Sequence, residues 1–128
     1  MDAIANFIIT LKNAGDASKE SITVPFSNMT MSIAETLAKH GYVKSVSKKG
    51  KKTIKSIEVE LAYEGNEPKV KGVERVSKLS RRMYEKAKDI KPFRHGFGNT
   101  ILTTPKGILT DKEAKKENVG GEILFRIW

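Results

Sequence analysis

Residues 99–128 read NTILTTPKGILTDKEAKKENVGGEILFRIW, and they decide the fold. Asn99 to Thr104 has the β-branched and apolar content of a strand, and Pro105 stops it because proline brings no N–H to a ladder. Thr110 and Glu113 have the spacing of a capping box, which starts a short helix running to about Glu117. Gly120 and Gly121 are expected to end that helix. In the closing strand, 122–128, alternation sets Ile123, Phe125 and Ile127 on one face and Leu124, Arg126 and Trp128 on the other. Both faces are rather apolar, which marks a central strand covered on both sides.

Upstream of this stretch, residues 80–92 have no single period. They fit a helix from Ser80 to Asp89, or a short strand at 82–84 followed by a turn of helix, and periodicity does not choose between them. Residues 70–76 read as a broken strand. Residues 64–68, EGNEP, are polar and turn-forming and mark a boundary between two short lobes, 1–64 and 65–128. The first lobe begins with a helix on which Ile4, Phe7, Ile8 and Leu11 share a face, with Asp2 to cap it and Gly15 to end it. A strand at 22–24 follows, stopped by Pro25. A second helix has Ser27 as its N-cap, Met29, Ile33 and Leu37 along one stripe, and Gly41 just past its end. Residues 42–47 form a strand, 48–53 a basic turn around Gly50, and Ile57, Val59, Leu61 and Tyr63 alternate through the next strand. The expected fold is α+β: two small abutting lobes, the N-terminal one α-β-α-β-β and the C-terminal one mostly antiparallel β with short helices.

With 128 residues, the chain can bury roughly two-thirds of its unfolded surface. It has no cysteine, which excludes disulfides, thiol catalysis and thiolate metal sites. Its two histidines, His40 and His95, and the absence of a metal-spaced carboxylate set give no expectation of a metal or cofactor. No motif selects a catalytic group, so the chain is not expected to be an enzyme. There is no apolar run of membrane-spanning length and no basic leader before the apolar N-terminus, which points to a cytoplasmic protein with no membrane partner.

Charge says most about partners. Lys and Arg total 24 against 15 Asp and Glu, a formal +9. Residues 1–64 carry net +2 and residues 65–128 net +7, with all five arginines in the second half. A planar guanidinium suits phosphate oxygens and base edges, so a polyanion is the expected partner. Residues 44–55 hold six lysines and no acid, and residues 69–94 hold ten cations against three acids, with Tyr84 and Phe93 interleaved. Cations beside aromatics suit RNA, whose unpaired bases stack on rings. The turn Thr103-Thr104-Pro105-Lys106-Gly107 offers hydroxyls that both donate and accept, a cation, and a glycine that lets a ligand approach the backbone. The lysine run serves equally well as a solvated turn and many surface turns look like 103–107, whereas Tyr84 directly after Arg81, Arg82 and Met83 favours function for the 69–94 cluster.

The last third, GFGNTILTTPKGILTDKEAKKENVGGEILFRIW, resembles the closing signature of the bacterial-type small-subunit (30S) ribosomal protein number eight, the S-eight family. That signature is a Gly-Leu-Gly turn, a strand, a Ser-Thr-Ser-Lys-Gly turn, a Thr-Asp helix start and Gly-Gly-Glu before a final strand. DAIANFIITLKNAG, PFSNMTMSIAETLAKHGYV and ERVSKLSRRMY resemble its opening helix, second helix and Arg-Ile/Val-Ser-Lys stretch, in order from about residue 2 to 128. The resemblance implies a primary RNA-binding protein of the small ribosomal subunit. Its partners would be a stem in the central domain of 16S ribosomal RNA, neighbouring ribosomal proteins, chiefly the fifth of the small subunit, and in some members their own operon messenger RNA. Such a protein would help assemble the subunit platform. An electrostatic binder without a specific site is the alternative reading. Carried over residue by residue, the RNA contacts would be Thr103, Thr104 and Pro105 with Lys106 and Gly107, the aromatic Tyr84, Glu122 near the same loop, Arg82, Lys78 and Lys55 on the backbone, and Lys12 and Asn13 in the first lobe. The resemblance favours the strand reading near Tyr84. Three positions depart from the family. Thr-Thr-Pro stands for Ser-Thr-Ser, which removes a hydroxyl and an N–H at Pro105. Lys78-Leu79-Ser80 stands for Lys-Pro-Gly, and Asn28 for a lysine.

Overall fold

The computed structural model describes residues 3–51, 54–78 and 80–128, without the side chains of Lys51 and His95. Asp2, Lys52, Thr53 and Leu79, which the sequence reading assigned to a cap and to turns, lie outside the described residues. The chain forms two compact units, 3–71 and 72–128, and the fold is mixed α+β as expected.

In the first unit, α1 (Ala3–Asp16) and α2 (Asn28–Lys39) accompany an antiparallel sheet of order β1-β3-β2, with β1 at Ser21–Pro25, β2 at Val43–Lys51 and β3 at Ile54–Leu61. Phe7, Ile8 and Leu11 of α1, Ile33 and Leu37 of α2, and Ile57 and Val59 of β3 are at most 1% exposed. Each such side chain contributes about 1.5–3 kcal/mol of burial. Ser27 caps α2, its Oγ accepting from Thr30 N at 3.1 Å. Gly41 closes the helix at φ +82, with Gly41 N–H to Ala38 O and Tyr42 N–H to Leu37 O.

Gly15 does not end α1. It lies inside the last turn, where a Cβ would meet the Pro68 ring at 3.0 Å. The stop is Ser18 at φ +58, with Ser18 N–H bonded to Gly15 O and Lys19 N–H to Ala14 O, the two bonds of a Schellman motif. Residues 48–51 are strand rather than turn: Lys51 opposes Ile54, and Gly50, at φ +114, opposes Lys55. The 64–68 segment is a hairpin of β4 (Tyr63–Glu64) and β5 (Glu67–Pro68) inside this unit. Lys69 Nζ bonds Glu64 at 2.9 Å, and that bond, then the lysine's charge, holds the exposed carboxyl below its ordinary value.

In the second unit, β6 (Val73–Arg75), β7 (Tyr84–Glu85), β8 (Asn99–Thr104), β9 (Gly107–Thr110) and β10 (Gly121–Ile127) form an antiparallel sheet with α3 (Asp111–Glu117). β10 is central, flanked by β8 on one side and by β6 and β7 on the other. Residues 80–92 take the second of the two readings, a strand at 84–85 and then a 3₁₀ turn at Ala87–Asp89. The capping box is formed in full: Thr110 Oγ1 accepts from Glu113 N, and Glu113 Oε1 accepts from Thr110 N. Asn118, at φ +56, ends α3. Gly120 and Gly121 serve close approach instead, because a Cβ would meet the carbonyl of Glu85 at the first and of Thr103 at the second.

The strict alternation expected for the last strand does not hold. Ile123 opposes Leu102, whereas Phe125 opposes Ile101, so Leu124 is the extra residue of a bulge. Neighbours along a strand face opposite ways, so Ile123 and Phe125 lie on opposite faces of the sheet. Ile123 joins Leu102, Ile90 and Ala114 in one core cluster with Val76, Leu109 and Val119 against it. Phe125 and Ile127 share the other face with Ile101, and all three are fully buried.

Replacing Gly121 by Ala is expected to destabilise the protein by about 2–3 kcal/mol through overpacking against Thr103. The check is the urea midpoint; an unshifted midpoint would contradict the close approach.

Candidate nucleic-acid interface

The bulge sets what lies at the open end of the Phe125 face. Tyr84 opposes Glu122, Glu122 opposes Thr103, and Thr103 opposes Ile108, making one row across four strands. Tyr84 is 71% exposed, so its ring is not a core residue. The Glu122 side chain is 12% exposed, and its carboxylate accepts from the Arg82 guanidinium at 3.1 Å. The row thus combines an exposed aromatic, an oriented ion pair and a threonine.

The turn between β8 and β9 borders this row. Thr104 Oγ1 donates to Gly107 O at 2.8 Å and accepts from Lys106 N at 3.1 Å. The Thr104 hydroxyl therefore builds the turn and keeps one lone pair for a ligand. Pro105 sits where no N–H is needed, and Gly107, at φ +106, has open space where a Cβ would be. Lys106 Nζ reaches Glu117 of α3 at 3.1 Å.

On the other side of the row, Lys78 and Arg81 pair their backbones in a narrow loop, each N–H bonded to the other's carbonyl at 3.0 Å or less. Ser77, fully buried, closes that loop: its Oγ accepts from Met83 N at 2.9 Å and donates to Met83 O at 3.3 Å. Lys78, Arg81 and Arg82 are exposed on it. The structure therefore brings together Thr103, Thr104, Pro105, Lys106, Gly107, Tyr84, Glu122, Arg82 and Lys78. It adds Arg81, Ser77 and Ile108, which the sequence reading did not assign. Ile108 joins through the β8–β9 register, and β9 was not foreseen because Ile-Leu-Thr beside a turn is too short to show a period.

Lys12, Asn13 and Lys55 lie on the first unit. Lys12 Nζ pairs with Asp16 at 2.8 Å one turn along α1, Asn13 is exposed, and Lys55 is an exposed residue of β3. The lysine run there is less free than it reads in one dimension. Pairing with β3 brings Glu60 to within 3.7 Å of Lys44 and Glu58 to within 3.1 Å of Lys49, while Lys48 lies 4.4 Å from the Phe26 ring centroid. Such exposed pairs stabilise by no more than about 1 kcal/mol.

Among the described residues, no group of acids and histidines is placed to hold a metal, and no helix is long and apolar enough to cross a membrane. A family model described as ribosomal protein S8 matches residues 2–128. The chain is 39% identical over 127 residues to the small ribosomal subunit protein uS8 of Mycoplasmopsis agalactiae, covering 99% of this chain and 97% of that one. It is 42% identical over 128 residues to the protein of the same name from Chlorobaculum tepidum, with the same coverage of each.

Ser77→Ala removes the fully buried hydroxyl that answers the Met83 N–H and should cost about 1–3 kcal/mol. It should also speed amide exchange at Met83. An unchanged melting temperature and unchanged exchange would contradict the clamp.

Proposed function

The chain belongs to the ribosomal protein S8 family, and from that premise we propose that it is a primary RNA-binding protein of the small subunit, with the second unit as its RNA-reading lobe. Its place in the family gives it a structural role in the small ribosomal subunit and in translation. The RNA is a stem in the central domain of 16S ribosomal RNA, and binding there helps assemble the platform. The fifth small-subunit protein is the chief protein neighbour, and the work is done in the cytoplasm without catalysis.

The observation that carries this reading is the row Tyr84–Glu122–Thr103–Ile108 with the Thr104–Gly107 turn beside it. Tyr84 presents a ring to an unpaired base, as single-stranded RNA recognition requires. Glu122, held by Arg82, accepts from a base amino group or a 2′-hydroxyl. The Thr103 hydroxyl and the free lone pair of Thr104 read a sugar or base edge. Lys78, Arg81, Arg82 and Lys106 lie along phosphates at the borders of the row. Pro105 withdraws one contact of the family's third serine and stiffens the turn that presents the rest. Lys12, Asn13 and Lys55 supply backbone contacts from the first unit. A messenger RNA of its own operon that presented a similar stem would be bound by the same surface.

The formal charge of +9 favours one competing reading, an electrostatic binder without sequence preference. The two readings separate on a central-domain stem and a scrambled stem of equal length, each at two salt concentrations. The native stem is expected to bind at least about a thousandfold more tightly at both. Equal binding that fades with salt would leave the electrostatic reading. Thr104→Ala should weaken the native stem by about 1–3 kcal/mol because it removes a polar partner at the contact, and the loss of its two turn bonds is read separately from the melting temperature of the free protein. An unchanged dissociation constant would remove Thr104 from the site.

A further inference from the structure

Phe97 is 87% exposed, more than any other large apolar side chain among the described residues. Of the second unit's described residues, only Tyr84 is also large, apolar and exposed, and the two stand at opposite ends of the central strand. Tyr84 opposes Glu122 near the start of β10, whereas Phe97 precedes β8, whose Asn99 opposes Ile127 at the end of β10. The Phe97 ring therefore lies outside the row described above.

The turn that carries Phe97 is fixed on both sides. Before it, the 3₁₀ turn Phe93–Gly96 closes with Phe97 N–H bonded to Arg94 O at 3.1 Å and Gly98 N–H to Phe93 O at 3.4 Å. After it, Gly98 is buried so closely that a Cβ would meet the Phe93 ring at 2.7 Å and Ile127 O at 3.0 Å. Phe93 in turn packs on Trp128, with ring centroids 5.6 Å apart. Arg94 has φ +51, a left-handed backbone that costs a non-glycine residue energy. Its guanidinium lies 4.9 Å from the Trp128 ring centroid, so a cation is held in the same turn as the exposed ring. Residues 90–110 contain no acid. Folding brings three acids toward this segment: Asp111 is buried with one oxygen on Phe93 N–H, Glu74 pairs with Arg126, and Glu85 is half-buried in the recess that Lys91 also lines.

We propose that Phe97, with Arg94 beside it, is a second stacking platform, which takes one unpaired RNA base flanking the stem. Stacking needs only a ring face and tolerates any base, because every base has a π-face. Residues 96–98, Gly-Phe-Gly, offer that ring and have no polar side chain to read a base edge. Lys91 and Arg94, both exposed, supply positive potential for the adjoining phosphates. A protein partner would need an apolar interface core, whereas this ring has a glycine on each side and its nearest rival in exposure, Tyr84, at the far end of the strand. The family signature has leucine at this position, which has no π-face, so the platform belongs to this chain. The choice of RNA rests on the RNA-binding reading above; the exposure of the ring and the fixed turn do not.

The test compares binding of the full-length protein to the central-domain stem with blunt ends and to the same stem carrying an unpaired extension of about six nucleotides at its 5′ or its 3′ end. One of the two extensions is expected to tighten binding about tenfold. Phe97→Leu should remove that gain and leave blunt-stem binding as it is, and Phe97→Trp should keep the whole gain. A second arm titrates the protein with oligoadenylate and follows amide chemical shifts, which should move saturably at Phe97 and Gly98 and stay still in Phe97→Leu. No gain from either extension, or no shift at these amides, would overturn the proposal. A gain that Phe97→Leu retains would also overturn it, because it would come from an apolar or phosphate contact rather than a stacked base. If the blunt stem binds no better than its scrambled counterpart, the RNA reading of the Tyr84 row fails, and the oligoadenylate arm still decides whether Phe97 stacks a base.

Discussion

The bulge at Leu124 is the constraint from which the second unit follows. One extra residue in the central strand turns Ile123 toward Leu102, Ile90 and Ala114 and turns Phe125 toward Ile101. Both faces can then be filled by a strand too apolar to leave either one wet. The bulge also frees a buried carbonyl, which must find partners. Leu124 O accepts from Val76 N at 3.1 Å and from the Arg75 guanidinium. Those bonds fix the start of the segment that runs through Ser77 into the Lys78–Arg82 loop. Thus the defect that divides the core also anchors the loop carrying three cations of the candidate interface.

From that anchor the site is assembled by short-range chemistry. Ser77 closes the loop on Met83, Met83 O accepts from Ile123 N at 2.8 Å, and Glu122, one residue earlier, orients Arg82. Thr104 fixes its own turn with both capacities of one hydroxyl. None of the groups in the row depends on a long flexible side chain for its position, apart from the arginine, and that one is tethered. Binding to such a surface loses little conformational entropy on ordering, which is what separates a specific site from a positive patch.

Signals confined to a few residues were legible in the sequence. Ser27, Gly41 and the Thr110–Glu113 box act within one helical turn and were read correctly, as was the central place of the last strand. Features set by partners distant in sequence were not legible. Gly15 reads as a helix stop, but it packs on Pro68 while Ser18 makes the stop. Gly120-Gly121 reads the same way, but its smallness answers the carbonyls of Glu85 and Thr103. The bulge is invisible in EILFRIW, because only Leu102 and Ile101 reveal the slipped register. The hydroxyl turn and Tyr84 could be named from composition and resemblance. That they share one row with Glu122 and Ile108 required the strand pairings, and so did the acids Glu58 and Glu60 that answer two lysines of an apparently acid-free run.

Amide hydrogen exchange on the protein alone and bound to the central-domain stem tests the central claim, that the open end of the Phe125 face with its bordering turn is the RNA surface. The account predicts slowed exchange at residues 82–85 and 103–108, with α3 unchanged. Protection confined to the β2–β3 ribbon or to α3, with 103–108 exchanging as in the free protein, would contradict it.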